Sequence, residues 1–380
     1  MKKIAIIGST GSIGKQSLQV IDNLKDVKII ALSANENINL LTKQIIKYQP
    51  KYFHIHEKYA KKMVLKQNSK LKTNEEIAKI KEIDLFIIAS TGISGLLPMI
   101  LALKSGKQVA IANKESLVIG GPFIQEILNK HEKNGAKLLP IDSEHSAIWQ
   151  CMVGEEWKSV KNIILTASGG SLLNKSNEQM KKITPKDALN HPNWNMGNKI
   201  TIDSATLFNK GLEVIEASIL FNLPLDKINA IIHRESIVHS IVNFNDGSSK
   251  AHLGIPDMRI PIQYALTYPE RKMTNFPNNL SLSKIQKLSF EEIKNRQFPL
   301  FNLLIHAAKK SDGSLPAILG ADDILVNAFL NKKIGFESIY KIIKKISPNF
   351  KPSNQFILDN VIGAYEWGKE FAMKEISNKK

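Results

Sequence analysis

With 380 residues, 43% of them hydrophobic, the chain is long enough for two or three domains around a large core, yet no apolar run approaches the roughly 20 residues that span a bilayer, and the apolar stretch Ile4 to Ile7 behind the basic tip is too short for a signal-peptide core. The single cysteine, Cys151, excludes an intramolecular disulfide, fits a reducing cytoplasm and reads as a small buried hydrophobe. Lys and Arg number 52 against 35 acids, a net +17, but the lysines are scattered (Lys58, Lys61, Lys62, Lys70) without interleaved aromatics, which points to solvated helix faces and a field that attracts anions rather than to nucleic-acid binding.

In chain order, "KIAII" (3–7) reads as a buried parallel strand, "GSTGSIG" follows, and an amphipathic helix runs from Lys15 to about Leu24. "VKIIALSA" (27–34), "DLFIIAS" (84–90), "KQVAIAN" (107–113) and "AKLLPID" (136–142) are further strands, with "GLLPMILALKSG" a helix between them. Strands alternating with helices predict a parallel sheet covered on both faces. That alternation stops near 142. From "KNIILTASGGS" (161–171) to about Tyr268 the pattern is α+β, with "NAIIHRESIVHSIVNF" (229–244) and "SSKAHLGI" (248–255) expected as neighbouring strands joined at "NDGS". "TYPERKMTNFPNNLSLSK" (267–284) reads as a linker. Helical periodicity fills the rest, and the final "SNKK" is expected to fray.

Gly8, Gly11 and Gly14 lie between the first strand and its helix. Glycines there let the backbone approach a pyrophosphate, and the helix start offers N–H groups and a positive dipole end. The spacing is G-x-x-G-x-x-G rather than G-x-G-x-x-G, and an ordinary tight turn would use the same residues. The second strand ends at Ser33 without the acid that holds a ribose 2′-hydroxyl, which leans towards NADP. "IANKES" then places Asn113, Lys114 and Glu115 at a strand's C-terminal edge, where open α/β sheets bind ligands.

In "LPIDSEHSAIWQC" (139–151), Asp142 and Glu144 flank Ser143, and two residues apart they would point to one side of an extended segment. Ser168 sits in a glycine-flanked turn after a strand. In "HPNWNMGNKITIDSATLFNKGLEVIEA" (191–217), Ser204 reads as a helix N-cap, and Asn209, Lys210 and Glu213 share one helix face. A hydroxyl, an amide and an ammonium near a helix start make a phosphate site. Glu213 adds a third carboxylate to Asp142 and Glu144, a set that suits Mg²⁺ or Mn²⁺. An N-capping Asp with a first-turn Glu, and a solvated Lys–Glu pair, would account for the same acids separately.

"GSTGSIG", "ANKESLV", "PIDSEHSAIWQC", "HPNWNMGNKITIDSATLFNKGLEVIEA", "IHRESIVHS" and "AHLGIPDMRIPI" together closely resemble the 1-deoxy-D-xylulose 5-phosphate reductoisomerase family, in order and over the whole length. The resemblance implies an α/β protein with a Rossmann-like parallel-sheet domain binding NADPH (1–142), a central α+β catalytic and dimerisation domain (143–267), a linker (268–290) and a C-terminal helical bundle domain (291–380). It implies a cytoplasmic homodimer that rearranges a small phosphorylated sugar, by retro-aldol and re-aldol steps, and reduces the product in the non-mevalonate isoprenoid pathway. Matched residue by residue, it implies metal ligands Asp142, Glu144 and Glu213, with Lys114 beside them as catalytic groups. Implied substrate contacts are Lys114, Ser143, Glu144, Ser168, His191, Ser204, Asn209 and Lys210. Cofactor contacts are Thr10, Gly11, Ser12, Ile13, Asn35, Asn37, Asn113, Glu115 and Gly197. "HPNWNMG" resembles the family's mobile flap, with Trp194 covering the substrate, and His239 is near the site or a core histidine. Two rival readings are a simple NADP-dependent dehydrogenase, which needs no three-carboxylate metal site, and a non-catalytic basic binding protein, which would be retained on nucleic acid in a salt-sensitive way.

The chain departs from the family pattern at "ANEN" (34–37), where Asn35 replaces a glycine and Glu36 a basic residue, and at Ser171–Leu172, where the family has Pro-Phe. A carboxylate near a 2′-phosphate is repulsive. Glu36→Lys is therefore expected to lower KM for NADPH by up to roughly fivefold, the range of an exposed charge interaction, and to leave KM for NADH nearly unchanged. Steady-state kinetics with both cofactors checks this, and equal effects would place Glu36 away from the 2′ position.

Overall fold

A computed structural model of the chain describes residues 1–63, 68–194, 196–273, 275–276, 280–294, 297–353 and 357–378. The chain forms two compact units. The first comprises Met1–Leu117, Gly121–Ser146 and Asp257–Asn278, and the second Val118–Gly120, Ala147–Pro256 and Asn279–Lys380.

The first unit is built on seven parallel strands: β1 (Lys2–Ile7), β2 (Val27–Ser33), β3 (Tyr52–His54), β4 (Lys70–Leu71), β5 (Leu85–Ile88), β6 (Gln108–Ile111) and β7 (Lys137–Pro140). Their order is β4-β3-β2-β1-β5-β6-β7, so the winding reverses beside β1. Ligands in such sheets bind in the crevice at the strand ends beside this reversal. Ile4, Ile6, Leu32, Phe86, Ile88 and Ile111 are fully buried, as expected of strands covered on both faces. The first helix starts at Ser12 rather than Lys15, because Gly11 takes the N-cap position with extended backbone. β3 and β4 are too short to show a period, and the sequence reading missed them.

The units cut the chain differently from the expected segments. Helix Arg259–Thr267 packs on helix Ser12–Ile21, Lys2 Nζ donates to the Leu266 carbonyl at 3.1 Å, and Lys272 pairs with Asp26 at 3.0 Å. A stretch assigned by sequence to the central segment and the linker thus belongs to the first unit. Linker residues 274 and 277–279 lie outside the described residues.

The second unit holds β8 (Val160–Ala167), β9 (Ile228–Ile232), β10 (Val238–Phe244), β11 (Ser249–Leu253) and β12 (Glu291–Glu292), in the order β11-β10-β8-β9-β12. β10 and β11 form the expected hairpin. The stretch 229–244, however, is not one strand: β9 and β10 lie on opposite sides of β8. The break has a local cause. His233 is fully buried, and its Nε2 accepts the backbone N–H groups of Ile237 and Val238, both at 3.1 Å. Its Nδ1 therefore carries the proton and donates to the Ser289 carbonyl at 2.8 Å, while Ser236 takes a positive φ of 53°. Behind the sheet a core of Ile148, Cys151, Met152, Val160, Leu165, Val214 and Phe244 forms. Cys151 is buried there as expected, and burial pushes its thiol up to about 11.

Helices Pro299–Lys310, Ser314–Leu330, Phe336–Ile343 and Leu358–Ser377 supply the C-terminal bundle. The last of these ends at Ser377, the first residue of the segment expected to fray; 379–380 lie outside the described residues, as do 354–356. Helices Ser314–Leu330 and Leu358–Ser377 approach so closely that a Cβ on Gly320 would meet the Tyr365 carbonyl and one on Gly368 the Ala317 carbonyl. Gly368→Ala should lower stability by about 1–3 kcal/mol, the usual range for overpacking. Denaturant titration measures it, and an unchanged midpoint would show that the helices can separate without loss.

Candidate active site

In the first unit, β1 ends in a loop shaped by two glycines. Gly8 has φ +91°, and a Cβ there would lie 2.6 Å from the backbone of Ala89 and Ser90; a Cβ on Gly14 would run into the Gly8 carbonyl and Ser9. The first helix can start beside β1 only because both are glycine. Gln44 braces the loop from below, accepting from Ser9 Oγ at 2.7 Å and donating to the Ser9 carbonyl at 2.9 Å. Thr10, Gly11, Ser12 and Ile13 form a partly exposed helix start, a positive dipole end suited to a pyrophosphate. Asn35, Glu36 and Asn37 are exposed beyond β2, and Asn37 Oδ1 caps helix Ile38–Tyr48 by accepting from Leu40 N at 3.1 Å.

Asn113 caps helix Lys114–His131, accepting from Ser116 N at 2.8 Å and donating to the Gly92 carbonyl at 3.0 Å; Glu115 lies in that helix's first turn. Lys114 is buried, and its Nζ is 2.5 Å from Asp142 Oδ2. On the other side His145 Nδ1 lies 3.3 Å from Asp142 Oδ1. Burial alone would raise the Asp142 carboxyl, but the Lys114 ammonium and then His145 hold it well below the usual carboxylate range. The expected extended segment is not what forms. Helix Ser143–Cys151 starts directly after Asp142, whose Oδ1 accepts the Glu144 N–H at 3.3 Å, while Ser143 Oγ donates to Glu144 Oε2 at 2.6 Å. Asp142 and Glu144 meet through a helix start. The sequence reading gave no role to His145, although its position three residues past Asp142 carries the signal once the helix is known.

In the second unit β8 runs into Ser168, Gly169 and Gly170, the glycines at φ +84° and +66°. A Cβ on Gly170 would lie 2.7 Å from the Ser204 carbonyl, so the Ser168 turn packs against the end of helix Asn198–Ala205. Ser204 is in the last turn of that helix, not at the start of the next. Leu207, in left-handed backbone at φ +55°, takes the N-cap position of helix Phe208–Phe221. Asn209, Lys210 and Glu213 share a face there as expected. Asn209 Nδ2 donates to Glu213 Oε1 at 2.5 Å and Lys210 Nζ to Glu213 Oε2. Lys210 is 3% and Glu213 2% exposed, so this is not a solvated surface pair.

His191 Nδ1 accepts the N–H groups of Asn193 (3.2 Å) and Trp194 (3.0 Å). Its Nε2 therefore carries the proton and donates to Ser168 Oγ at 2.9 Å, and burial lowers its pKa. Asn193, unassigned by sequence, donates through Nδ2 to the Arg234 carbonyl (2.5 Å) and Ser236 Oγ (2.9 Å). The Trp194 and His239 rings are 6.2 Å apart. Burial, with His252 nearby, pulls His239 down to about 4, so its imidazole is neutral at physiological pH. Gly197, exposed, takes the N-cap position of helix Asn198–Ala205; flap residue 195 lies outside the described residues. At the departure from the family pattern, Ser171 Oγ donates to the Ala188 carbonyl at 2.7 Å and Leu172 is fully buried.

Comparison with known proteins agrees along the whole chain. Residues 4–121 match the 1-deoxy-D-xylulose 5-phosphate reductoisomerase family model, 138–221 its C-terminal domain model, and 253–371 the DXP reductoisomerase C-terminal domain model. The chain is 43% identical to 1-deoxy-D-xylulose 5-phosphate reductoisomerase of Pelotomaculum thermopropionicum over 99% of each chain. It is also 43% identical to that of Thermodesulfovibrio yellowstonii, over 99% of this chain and 100% of the relative. A crystal structure of DOX-P reductoisomerase in complex with NADPH, fosmidomycin and magnesium superposes with a TM-score of 0.92 at 34% identity, covering 99% of this chain and 98% of the other. The Zymomonas mobilis enzyme in complex with NADPH superposes at 0.89 with 35% identity, covering 99% of each. The protein belongs to the 1-deoxy-D-xylulose 5-phosphate reductoisomerase family.

Proposed function

We propose that Asp142, Glu144 and Glu213 hold one Mg²⁺ or Mn²⁺, that Ser168, Ser204, Asn209 and Lys210 hold the substrate phosphate, and that the loop Thr10 to Ile13, with Asn35, Asn37, Asn113, Glu115 and Gly197, holds NADPH. With these the chain converts 1-deoxy-D-xylulose 5-phosphate to 2-C-methyl-D-erythritol 4-phosphate, an NADPH- and divalent-metal-dependent step of isoprenoid biosynthesis. The observation that carries the reading is buried charge: Asp142 and Glu213 are withdrawn from water, each against a lysine ammonium that stands where positive charge is required. An all-oxygen carboxylate set is what a hard divalent cation takes, and the tight turn that Gly8 and Gly14 permit sets the exposed helix start at Gly11 and Ser12 beside β1, where a pyrophosphate would meet free N–H groups. When bound, the cation stabilises developing oxyanion charge and the cofactor supplies the hydride.

The chain's own residues do the rest. Lys114, fixed by Asp142, points a cationic donor at the substrate oxygens. His191, held in one tautomer by the flap backbone, orients Ser168. Lys210 and Asn209 supply binding energy remote from the reacting carbons, and Trp194 covers the substrate and excludes water. The reading extends to a cytoplasmic homodimer, supported by the family resemblance and the one reduced, buried cysteine. Among the described residues no helix is long and apolar enough to cross a membrane. NADPH oxidation with 1-deoxy-D-xylulose 5-phosphate and either metal, with the product identified, tests the function. Turnover that survives exhaustive chelation would favour a simple dehydrogenase.

Glu213→Gln should keep the fold, since a helix accepts glutamine, while weakening Mn²⁺ affinity and turnover together. Calorimetric metal titration beside circular dichroism checks it, and unaltered metal affinity would remove Glu213 from the ligand set. Lys210→Met should cost about one to two orders of magnitude in kcat/KM, the worth of a charge-assisted hydrogen bond of roughly 1.5–3 kcal/mol. Unphosphorylated 1-deoxy-D-xylulose should lose little more from the change. Equal losses on both sugars, with metal binding intact, would mean that Lys210 does not hold the phosphate.

A further inference from the structure

A second buried charge cluster lies in the second unit, made of residues given no role above. Lys199, two residues past Gly197, places Nζ 2.7 Å from Asp203 Oδ2, 2.7 Å from Asp322 Oδ2 and 3.3 Å from Asp323 Oδ1. Asp203 is one turn along the same helix, Asn198–Ala205. Asp322 and Asp323 come from helix Ser314–Leu330, and Tyr365 of helix Leu358–Ser377 donates its hydroxyl to Asp323. Asp203 is 3% and Asp322 1% exposed, so these carboxylates cannot rely on water. One ammonium meets three carboxylates. Burial, and then the Asp203 charge, push the Asp322 carboxyl well above its ordinary range against the pull of Lys199.

The place of the cluster gives it a role. The helix that carries Lys199 and Asp203 has Ser204 in its last turn, and that turn packs on the Ser168 turn. Thr206 Oγ1 donates to the Asp203 carbonyl at 3.1 Å and accepts the Phe208 N–H at 3.3 Å, which carries the same anchor across Leu207 into the helix of Asn209 and Lys210. On the far side, the glycine-packed pair Ser314–Leu330 and Leu358–Ser377 is a rigid base. A buried ion-pair cluster adds little stability once desolvation is counted, but this one joins two helices at a single ammonium. We propose that Lys199 is a positioning residue, tying the helix of Ser204 to the C-terminal helix pair through Asp203, Asp322 and Asp323 and so setting Ser204 in register with Asn209 and Lys210 for the substrate phosphate. This rests on the phosphate assignment above.

The test separates positioning from bulk stability. In the full-length enzyme, Lys199→Met should raise KM for 1-deoxy-D-xylulose 5-phosphate, and the inhibition constant of inorganic phosphate, about tenfold, the loss of one well-placed hydrogen bond to a charged group. The kcat should change far less, and Lys199→Arg should restore most of the KM. Should Lys199→Met leave its acids stranded and fail to fold, the double variant Lys199→Gln with Asp322→Asn replaces the pair by neutral groups of similar size, and the same rise in KM is expected. A lower melting temperature and lower kcat with unchanged KM and phosphate inhibition would overturn the proposal and leave Lys199 a stability residue. Ser204→Ala is the control. A raised KM in Ser204→Ala beside an unchanged KM in the Lys199 variants overturns the anchor alone, whereas an unchanged KM in Ser204→Ala removes the phosphate role of Ser204 and the anchor with it.

Discussion

Burying a carboxylate is the constraint on which the rest of this molecule depends. A charge taken out of water must be met by an opposite charge or by several donors, or the group gives up its charge. Lys114 meets Asp142, Lys210 meets Glu213, and Lys199 meets Asp203 and Asp322. Removing one partner of such a pair costs about 3–5 kcal/mol, because the other is stranded. Each pair therefore fixes the backbone that carries it: a helix start after β6, one face of helix Phe208–Phe221, and helix Asn198–Ala205 with Ser204 in its last turn.

The first two pairs have a further property. The same ammonium that neutralises a buried acid is itself the donor proposed above to meet substrate oxygens. The Lys114 ammonium and His145 hold the Asp142 carboxyl below its usual range against the effect of burial, and an ionised carboxylate is the form a hard cation takes. The histidines behave differently. His191 and His233 are each fixed in one tautomer by backbone N–H groups, and burial lowers the pKa of His191 and His239. His233 shows how far that reaches: by accepting two backbone N–H groups it ends β9, starts β10 and aims the Arg234 carbonyl and Ser236 Oγ at Asn193.

The sequence made the periodic parts legible. Apolar runs located β1, β2 and β5 to β7 because each is buried on both faces, and the three- and four-residue spacing of Asn209, Lys210 and Glu213 put them on one helix face. What it hid were places where one residue overrides a pattern. Nothing in "SATLFNKG" announces that Leu207 adopts left-handed backbone, a conformation expected of glycine or asparagine, so Ser204 was placed at a helix start instead of a helix end. In 229–244 the polar run His233 to Ser236 interrupts the apolar residues, but nothing in it announces that the His233 ring is buried and accepts two backbone N–H groups, sending β9 and β10 to opposite sides of β8. The return of helix Arg259–Thr267 to the first unit was equally hidden, since its signal is contact with helix Ser12–Ile21 rather than local composition.

The same reasoning bears on the excess of lysine. Most of the described lysine pairs lie in water: Lys158 with Glu156 and Lys181 with Glu178 keep more than half of their side-chain surface, and such pairs are worth at most about 1 kcal/mol. Lys114 and Lys210 keep 7% and 4%, and Lys199 25%. Net charge cannot tell these two populations apart, because each lysine counts once wherever it sits. Context can. Lys114 follows a strand end and opens a helix, Lys199 lies in the first turn of helix Asn198–Ala205, and Lys210 lies in the first turn after Leu207 in left-handed backbone. All three sit in the first turn of a helix, where the positive dipole end disfavours a cation, and each is held there by a buried acid, Asp142, Asp203 with Asp322, or Glu213, that a scattered surface lysine lacks.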